Sequence, residues 1–70
     1  MRDHMTSIQK AIERMKAEYR EMPGLMLTQH QAERLLGLDR RTCELALAAL
    51  VRSSFLKQTP QGVYLRQRPG

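Results

Sequence analysis

The sequence lacks most of the residues on which small disulfide-bonded, metal-binding or catalytic proteins depend. It contains one cysteine and no tryptophan among its 70 residues. A single cysteine excludes an internal disulfide, so the chain is not a secreted disulfide scaffold. One cysteine and two histidines, widely separated, offer no zinc-ligand spacing. With no Ser-His-Asp set, paired carboxylates or phosphate-cradling glycine loop, we expect no enzyme activity, cofactor, metal or small-molecule ligand.

Long apolar segments are also missing. The longest uninterrupted apolar run, from Leu45 to Val51, is far shorter than the roughly 20 residues that cross a bilayer. The residues after Met1 include no apolar stretch long enough for a signal peptide. We therefore expect a single domain over residues 1–70, no membrane association and a cytoplasmic location.

Acidic residues disappear from the second half of the chain. The formal net charge is +5, from 12 Lys and Arg against 7 Asp and Glu, and no acidic residue follows Glu44. A basic excess on so small a domain indicates an anionic partner, of which nucleic acid is the first candidate. A solvated basic tail would produce the same asymmetry.

Apolar periodicity predicts three helices, over residues 6–22, 29–36 and 40–53. The predicted buried stripes are Ile8, Ile12, Met15 and Tyr19 in the first helix, Ala32, Leu35 and Leu36 in the second, and Cys43, Ala46, Leu47 and Leu50 in the third. On such a stripe, Cys43 is expected to act as a small buried hydrophobe, while His4 and His30 are expected at the surface.

Capping and turn residues place the helix ends. Capping boxes are expected at Thr6 and Thr28, and Asp39 is a favourable N-cap for the third helix. Pro23-Gly24 ends the first helix, and Gly37 stands where a C-terminal glycine belongs. The link between the second and third helices is only about three residues long, which is typical of a helix-turn-helix.

Two further segments have strand character. Residues 25–27 are apolar and predict a short buried strand. Residues 55–66 predict a β-hairpin, in which Thr59-Pro60-Gln61-Gly62 fits a type I turn followed by a left-handed residue. Residues 67–70 are expected to form a frayed tail. The fold class is therefore mainly α with a small β-hairpin (α+β), in the order helix, strand, helix, tight turn, helix, hairpin.

One continuous pattern runs from the first predicted strand to the hairpin. It reads Leu27-Thr28-x-x-Gln31-Ala32-x-x-Leu35-Leu36-Gly37-Leu38-Asp39-x-x-Thr42, followed by Leu47, Leu50-Val51 and Phe55-Leu56. This pattern resembles the prokaryotic winged helix-turn-helix of MarR-like and IclR-like regulators, over roughly residues 25–66. The resemblance implies binding of double-stranded DNA and a role in regulating transcription.

The sequence departs from that family pattern at one position. Glu33 occupies the place four residues before the turn glycine, where these families usually have a small residue. Either the second helix is slightly rotated, or Glu33 lies at the rim of the helix contact.

In a winged helix-turn-helix the third helix enters the major groove and its outer face reads the bases. Arg40 and Arg41 would bind guanine O6 and N7, Glu44 would accept from cytosine, and Leu45 would contact a thymine methyl. The full set of predicted DNA contacts is Gln29, Arg40, Arg41, Thr42, Glu44, Leu45, Arg52, Lys57, Gln61, Arg66 and Arg68. Thr28 and Gln29 open the second helix, where free N–H groups suit a phosphate. As alternatives, the arginines are solvated first-turn charges, Thr28 only caps its helix, and the hairpin charges guard an exposed edge against aggregation.

Three questions about partners stay open at this point. The stripe of the first helix covers the core or, extended by Met5 and Met22, forms a homodimer seam. The apolar residues Leu45, Ala48 and Ala49 on the third helix allow a protein-interaction module on the same fold. Structured RNA is the weakest candidate, because the chain lacks the exposed aromatic pairs on which single-strand readers stack bases.

Overall fold

The computed structural model describes residues 7–67. Its elements are α1 (Ser7–Glu21), β1 (Met26–Thr28), α2 (Gln29–Leu36), α3 (Arg40–Arg52), β2 (Leu56–Gln58) and β3 (Val63–Arg66). Three helices and a three-stranded antiparallel sheet in this order form a winged-helix-like layout, which confirms the predicted α+β fold class. We call β2, β3 and the turn between them the wing.

The predicted element bounds agree with the structure to within a residue wherever the structure describes them. The bounds of α2 are as predicted, α1 and α3 each end one residue earlier, and β1 lies one residue later. Phe55 precedes the first strand of the wing instead of belonging to it. Thr6 and Met5, like Arg68 and the rest of the tail after residue 67, lie outside the described residues.

The sheet has the strand order β1-β3-β2, so β1 pairs with the far strand of the wing. Leu27 lies opposite Tyr64, and Leu56 lies opposite Arg66. Opposite residues in an antiparallel pair share a face of the sheet, and alternate residues along a strand change face. By this alternation, one face of the sheet carries Leu27, Leu56, Tyr64 and Arg66. This face is turned toward the core, because Leu56 is fully buried.

The expectation that the first strand is buried was wrong for Met26. This side chain points to the opposite face of the sheet from Leu27, and it is 58% exposed. The physical reason is the two-residue period of a strand at the edge of a sheet, which leaves one face without a covering layer.

The core lies around α3, which packs against α1, α2 and β2. Its buried residues are Ala11, Met15, Tyr19, Ala32, Leu36, Cys43, Ala46, Leu47, Leu50 and Leu56. All four residues of the predicted α3 stripe are buried. The inclusion of Leu35 in the α2 stripe was wrong, since this side chain is 47% exposed. Only the narrow Ala32–Leu36 face of this eight-residue helix meets the core.

The turn between α2 and α3 is built as its sequence predicts. Gly37 has a left-handed backbone with φ 65°, and its N–H donates to the carbonyl of Glu33. The N–H of Leu38 donates to the same carbonyl at 3.0 Å. The Asp39 carboxylate then accepts from the Thr42 N–H at 3.0 Å and so opens α3. This closed turn fixes the direction in which the first residues of α3 leave the domain.

The predicted capping box at Thr28 and the predicted hairpin turn are also confirmed. Thr28 and Gln31 form a reciprocal capping box at the start of α2. At the wing tip the N–H of Gly62 donates to the Thr59 carbonyl at 2.9 Å, and Gly62 has φ 85°. A positive φ at this position is one that glycine adopts at little cost, which is why the short hairpin closes here.

Candidate nucleic-acid interface

The outer face of α3 is the surface that the sequence predicts to read DNA. Cys43, Ala46, Leu47 and Leu50 anchor the helix in the core. Exposed side chains on the rest of the helix include Arg40, Arg41, Glu44, Leu45 and Arg52. The structure therefore places these five predicted contact residues on the solvent side of α3, with Leu45 the most shielded of the large apolar exposed residues at 37% exposure. Thr42 differs, being half-buried beside Asp39.

Arg40 and Arg41 are two exposed cations at the start of α3. No carboxylate of residues 7–67 lies within 4.0 Å of either guanidinium. The helix N-terminus carries partial positive charge, so two arginines in this turn are electrostatically unfavourable until an anion or an acceptor approaches. The arrangement leaves the full set of guanidinium donors available to a partner, which suits bidentate contacts to guanine or phosphate.

Asp39 is the carboxylate nearest in sequence to these arginines, and it is committed to capping. Hydrogen bonds from the Thr42 side chain and then from its backbone N–H hold the pKa of Asp39 below its usual value. The carboxylate therefore stays ionised at neutral pH and satisfies backbone donors of the first turn instead of pairing with an arginine.

Gln29 has a positioning role that the sequence did not reveal. Its side-chain Nε2 donates to Glu33 Oε2 at 3.2 Å and, with a longer separation of 3.4 Å, to the carbonyl oxygen of Arg40. Its own carbonyl accepts from the Cys43 thiol at 3.7 Å. Gln29 thus ties the first turn of α2 to the first turn of α3. A phosphate contact by this amide would compete with those internal bonds.

Glu33 lies at the rim of the contact between α2 and α3. Its side chain is 20% exposed, accepts from Gln29, and lies 4.0 Å from the Nδ1 atom of His30. A charged side chain is tolerated in this place because its carboxylate keeps access to water and gains a hydrogen bond. Of the two alternatives drawn from the sequence, the structure shows the rim position.

The wing residues that the sequence predicts to bind DNA do not all lie on one face of the sheet in the structure. Lys57 and Gln61 are exposed, one on β2 and one at the tip. Lys57 lies opposite Leu65, while Arg66 lies opposite Leu56 on the other face of the sheet. Arg66 is half-buried, with its guanidinium carbon 4.3 Å from the centroid of the Phe55 ring. Arg66 is therefore held apart from the exposed wing charges. The last predicted contact, Arg68, lies outside the described residues.

Cys43 illustrates how little reactive chemistry this site offers. Burial, followed by the nearby carboxylates of Glu33 and Asp39, raises the pKa of the Cys43 thiol to about 11. A protonated, buried thiol is neither a nucleophile nor a metal ligand at neutral pH. Over residues 7–67, no three His, Cys, Asp or Glu side chains are grouped to hold a metal ion.

Comparison with known proteins adds no identification. No protein-family model matches this chain, and no curated protein matches it. In the part of the chain from residue 7 to 67, no helix combines the length and apolar character needed to cross a membrane.

Proposed function

We propose that this domain binds double-stranded DNA sequence-specifically, with α3 in the major groove and the exposed wing residues on the backbone or in the minor groove. The observation that carries the proposal is the pair Arg40 and Arg41. Both are exposed, both lack a carboxylate partner among residues 7–67, and both follow a turn that is rigidly closed by Gly37 and Asp39.

The charge of the surrounding residues also supports DNA binding. Arg52 at the end of α3 and Lys57 on β2 add exposed positive charge to α3 and to the wing. No acidic residue follows Glu44 to oppose them. Such a surface attracts phosphates by releasing condensed counterions, while the arginines at the helix start supply the base contacts.

Regulation of transcription is the use we propose for such binding, by a chain resembling the MarR-like and IclR-like regulators. Two copies joined through α1 would present two α3 helices to half-sites about one DNA turn apart. Met22 supports this arrangement, because it is 46% exposed at the end of α1. The buried residues of α1, including Met15 and Tyr19, already serve the core of one copy.

The proposal is tested by the sequence preference of a charge-matched pair of variants. A target is first selected from a random duplex library, and a scrambled duplex of the same length serves as reference. We expect Arg40→Ala with Arg41→Ala to reduce the ratio of the two affinities to about one, because the base contacts are lost while phosphate contacts remain.

The matched control is Arg14→Ala with Arg34→Ala, which also removes two exposed arginines but from α1 and from the last turn of α2. This control should keep the preference of the unmodified protein. An unchanged preference in the Arg40/Arg41 variant would remove the recognition-helix model.

A second candidate function is docking of a protein on the outer face of α3. The observation that favours it is the exposure of Leu45 and Ala48, two apolar residues on a surface that DNA readers usually keep polar. In that case Leu45→Glu would disrupt a protein complex, whereas DNA affinity would be weak in the unmodified protein as well.

A further inference from the structure

A second basic surface surrounds the ring of Phe55, away from the start of α3. Three cationic side chains meet at this ring: Arg66 from β3, and Lys16 and Arg20 from α1. The Arg66 guanidinium carbon lies 4.3 Å from the ring centroid, and the Lys16 Nζ and Arg20 guanidinium carbon each lie 5.8 Å from it. We call these four residues the Phe55 cluster.

The cluster brings three positive charges together, and residues 7–67 supply no counter-charge in contact with them. No carboxylate of residues 7–67 lies within 4.0 Å of Lys16, Arg20 or Arg66. Lys16 and Arg20 are also four residues apart on one helix, a spacing at which like charges repel. The electron-rich face of one phenylalanine attracts each cation, but it supplies no negative charge to balance three.

Arg66 is held in place, yet it makes no hydrogen bond through its guanidinium to any of residues 7–67. Its Nε is shielded from solvent and has no hydrogen-bond partner in the described part of the chain. Buried polar atoms are almost always paired, so this Nε is an exception, and the guanidinium has no acceptor among residues 7–67. The contact with the Phe55 ring restrains the Arg66 side chain, which reduces the entropy lost when an acceptor binds.

Backbone hydrogen bonds from the N–H and to the carbonyl of Phe55 hold this residue in place. Phe55 follows Ser54, which has a left-handed φ of 68°, and the Phe55 N–H donates to the Leu50 carbonyl at 3.0 Å. The Phe55 carbonyl accepts from the N–H of Gln67 at 3.0 Å, next to Arg66. The ring and the stacked arginine therefore belong to a fixed corner between α3 and the wing.

We propose that the Phe55 cluster is a docking site for an acidic segment of a partner protein, with carboxylates bound by Arg66, Lys16 and Arg20. The fork of an arginine matches a carboxylate in a bidentate manner. Arginine beside an aromatic ring is the combination enriched at the centres of protein interfaces.

Its position favours a protein over the DNA that α3 is proposed to bind. Phe55 lies beyond Arg52, the last residue of a 13-residue helix. At 1.5 Å per residue, that end is about 18 Å from Arg40. Arg66 also belongs to the base of the wing and faces the core side of the sheet, on the opposite face from the exposed Lys57.

The test uses the full chain and a fluorescein-labelled octapeptide of alternating Glu and Asp, with binding followed by anisotropy at low salt. Lys16→Ala with Arg20→Ala should weaken binding at least tenfold. Arg40→Ala with Arg41→Ala removes the same charge elsewhere, and it should leave peptide affinity within twofold. Arg66→Lys keeps the charge but loses the planar fork, so it should also weaken binding several-fold.

Two outcomes would overturn the proposal. Equal losses of peptide affinity in the two double variants would show that only net charge matters. If Lys16→Ala with Arg20→Ala instead lowers duplex-DNA affinity as much as the Arg40/Arg41 variant does, the cluster is a DNA contact. Thermal unfolding of each variant confirms that it is folded. The Lys16/Arg20 pair keeps the test decisive even if Arg66→Lys destabilises the domain, because Arg20 is exposed and Lys16 half-buried.

Discussion

The hydroxyl of Tyr19 donates a hydrogen bond of 2.7 Å to the backbone carbonyl of Tyr64. These residues lie 45 positions apart, and their bond joins α1 to the central strand of the sheet. Tyr19 is otherwise enclosed in the core, with 1% of its surface exposed. This side-chain hydrogen bond therefore links α1 directly to the wing.

Replacing Tyr19 by Phe should lower the free energy of unfolding by about 1 kcal/mol, the usual net value of a hydrogen bond within a protein. The ring volume is kept, so the change isolates the hydroxyl. Tyr64→Phe is the matched control, because the Tyr64 hydroxyl makes no hydrogen bond with residues 7–67. Urea denaturation of both variants gives the comparison. An equal loss in the two variants would contradict the structural role assigned to Tyr19.

The same tyrosine predicts how stability changes in alkali. Burial, and to a smaller extent the nearby Cys43, raises the pKa of Tyr19 to about 12 from the ordinary value of 10.0. The folded state therefore holds the phenolic proton more tightly than the unfolded state does. The resulting stabilisation is complete below pH 10 and is lost as pH rises from about 10 to 12. Tyr19→Phe should flatten this part of the stability profile. Tyr64 and Cys43, whose pKa values are raised by burial as well, will retain part of the slope.

Gly37 should be sensitive to substitution through its backbone alone. A Cβ atom at this position would meet nothing within 4 Å, but φ is +65°. A side chain in that conformation costs roughly 1–2 kcal/mol, so Gly37→Ala should lower stability by about that amount. Gly24→Ala is the control, since it also has open space but no positive φ. Thermal unfolding should show a clear loss for the first variant and little change or a small gain for the second.

Cys43 should be nearly inert in the folded protein. With a pKa near 11 in place of 9.0, its thiolate fraction at pH 8 is reduced about 100-fold, and the side chain is fully buried. Alkylation by iodoacetamide at pH 8 should therefore be slower than in the urea-unfolded chain by at least that factor. The unfolded chain provides an internal reference, because it has a single cysteine. Native and unfolded rates of similar size would show that the contact between α2 and α3 opens readily.

Most of the fold could be predicted from residues that lie close together in the sequence. Capping at Thr28 and Asp39, the glycine at 37 and the apolar stripe of α3 depend on neighbouring residues, and each is confirmed. Long-range pairing was not foreseen: the sequence predicts the wing hairpin but not the attachment of β1 to β3. Leu35 was misassigned because a helix of two turns shows too few apolar residues to define one face.

The candidate site also combines a surface that the sequence predicts with contacts that it does not predict. The exposed face of α3 follows from its buried stripe, since the two are complementary on one helix. The contacts of Gln29 with Arg40 and of Arg66 with Phe55 join elements whose relative placement depends on the assembled core. No spacing in the sequence brings Lys16 and Arg20 toward Phe55. From its charge, the sequence predicts Arg66 to be a DNA contact on the wing. In the structure its side chain instead packs against the Phe55 ring.

The most direct test of the central claim is duplex-DNA binding by fluorescence anisotropy across a series of salt concentrations, with light scattering on the same sample to fix the oligomeric state. We predict a log–log salt dependence corresponding to about four to six phosphates, as expected when a basic surface displaces counterions from the duplex. A nearly flat dependence, with binding no tighter than roughly 10⁻⁴ M at physiological salt, would contradict the proposal that the exposed faces of α3 and the wing bind DNA.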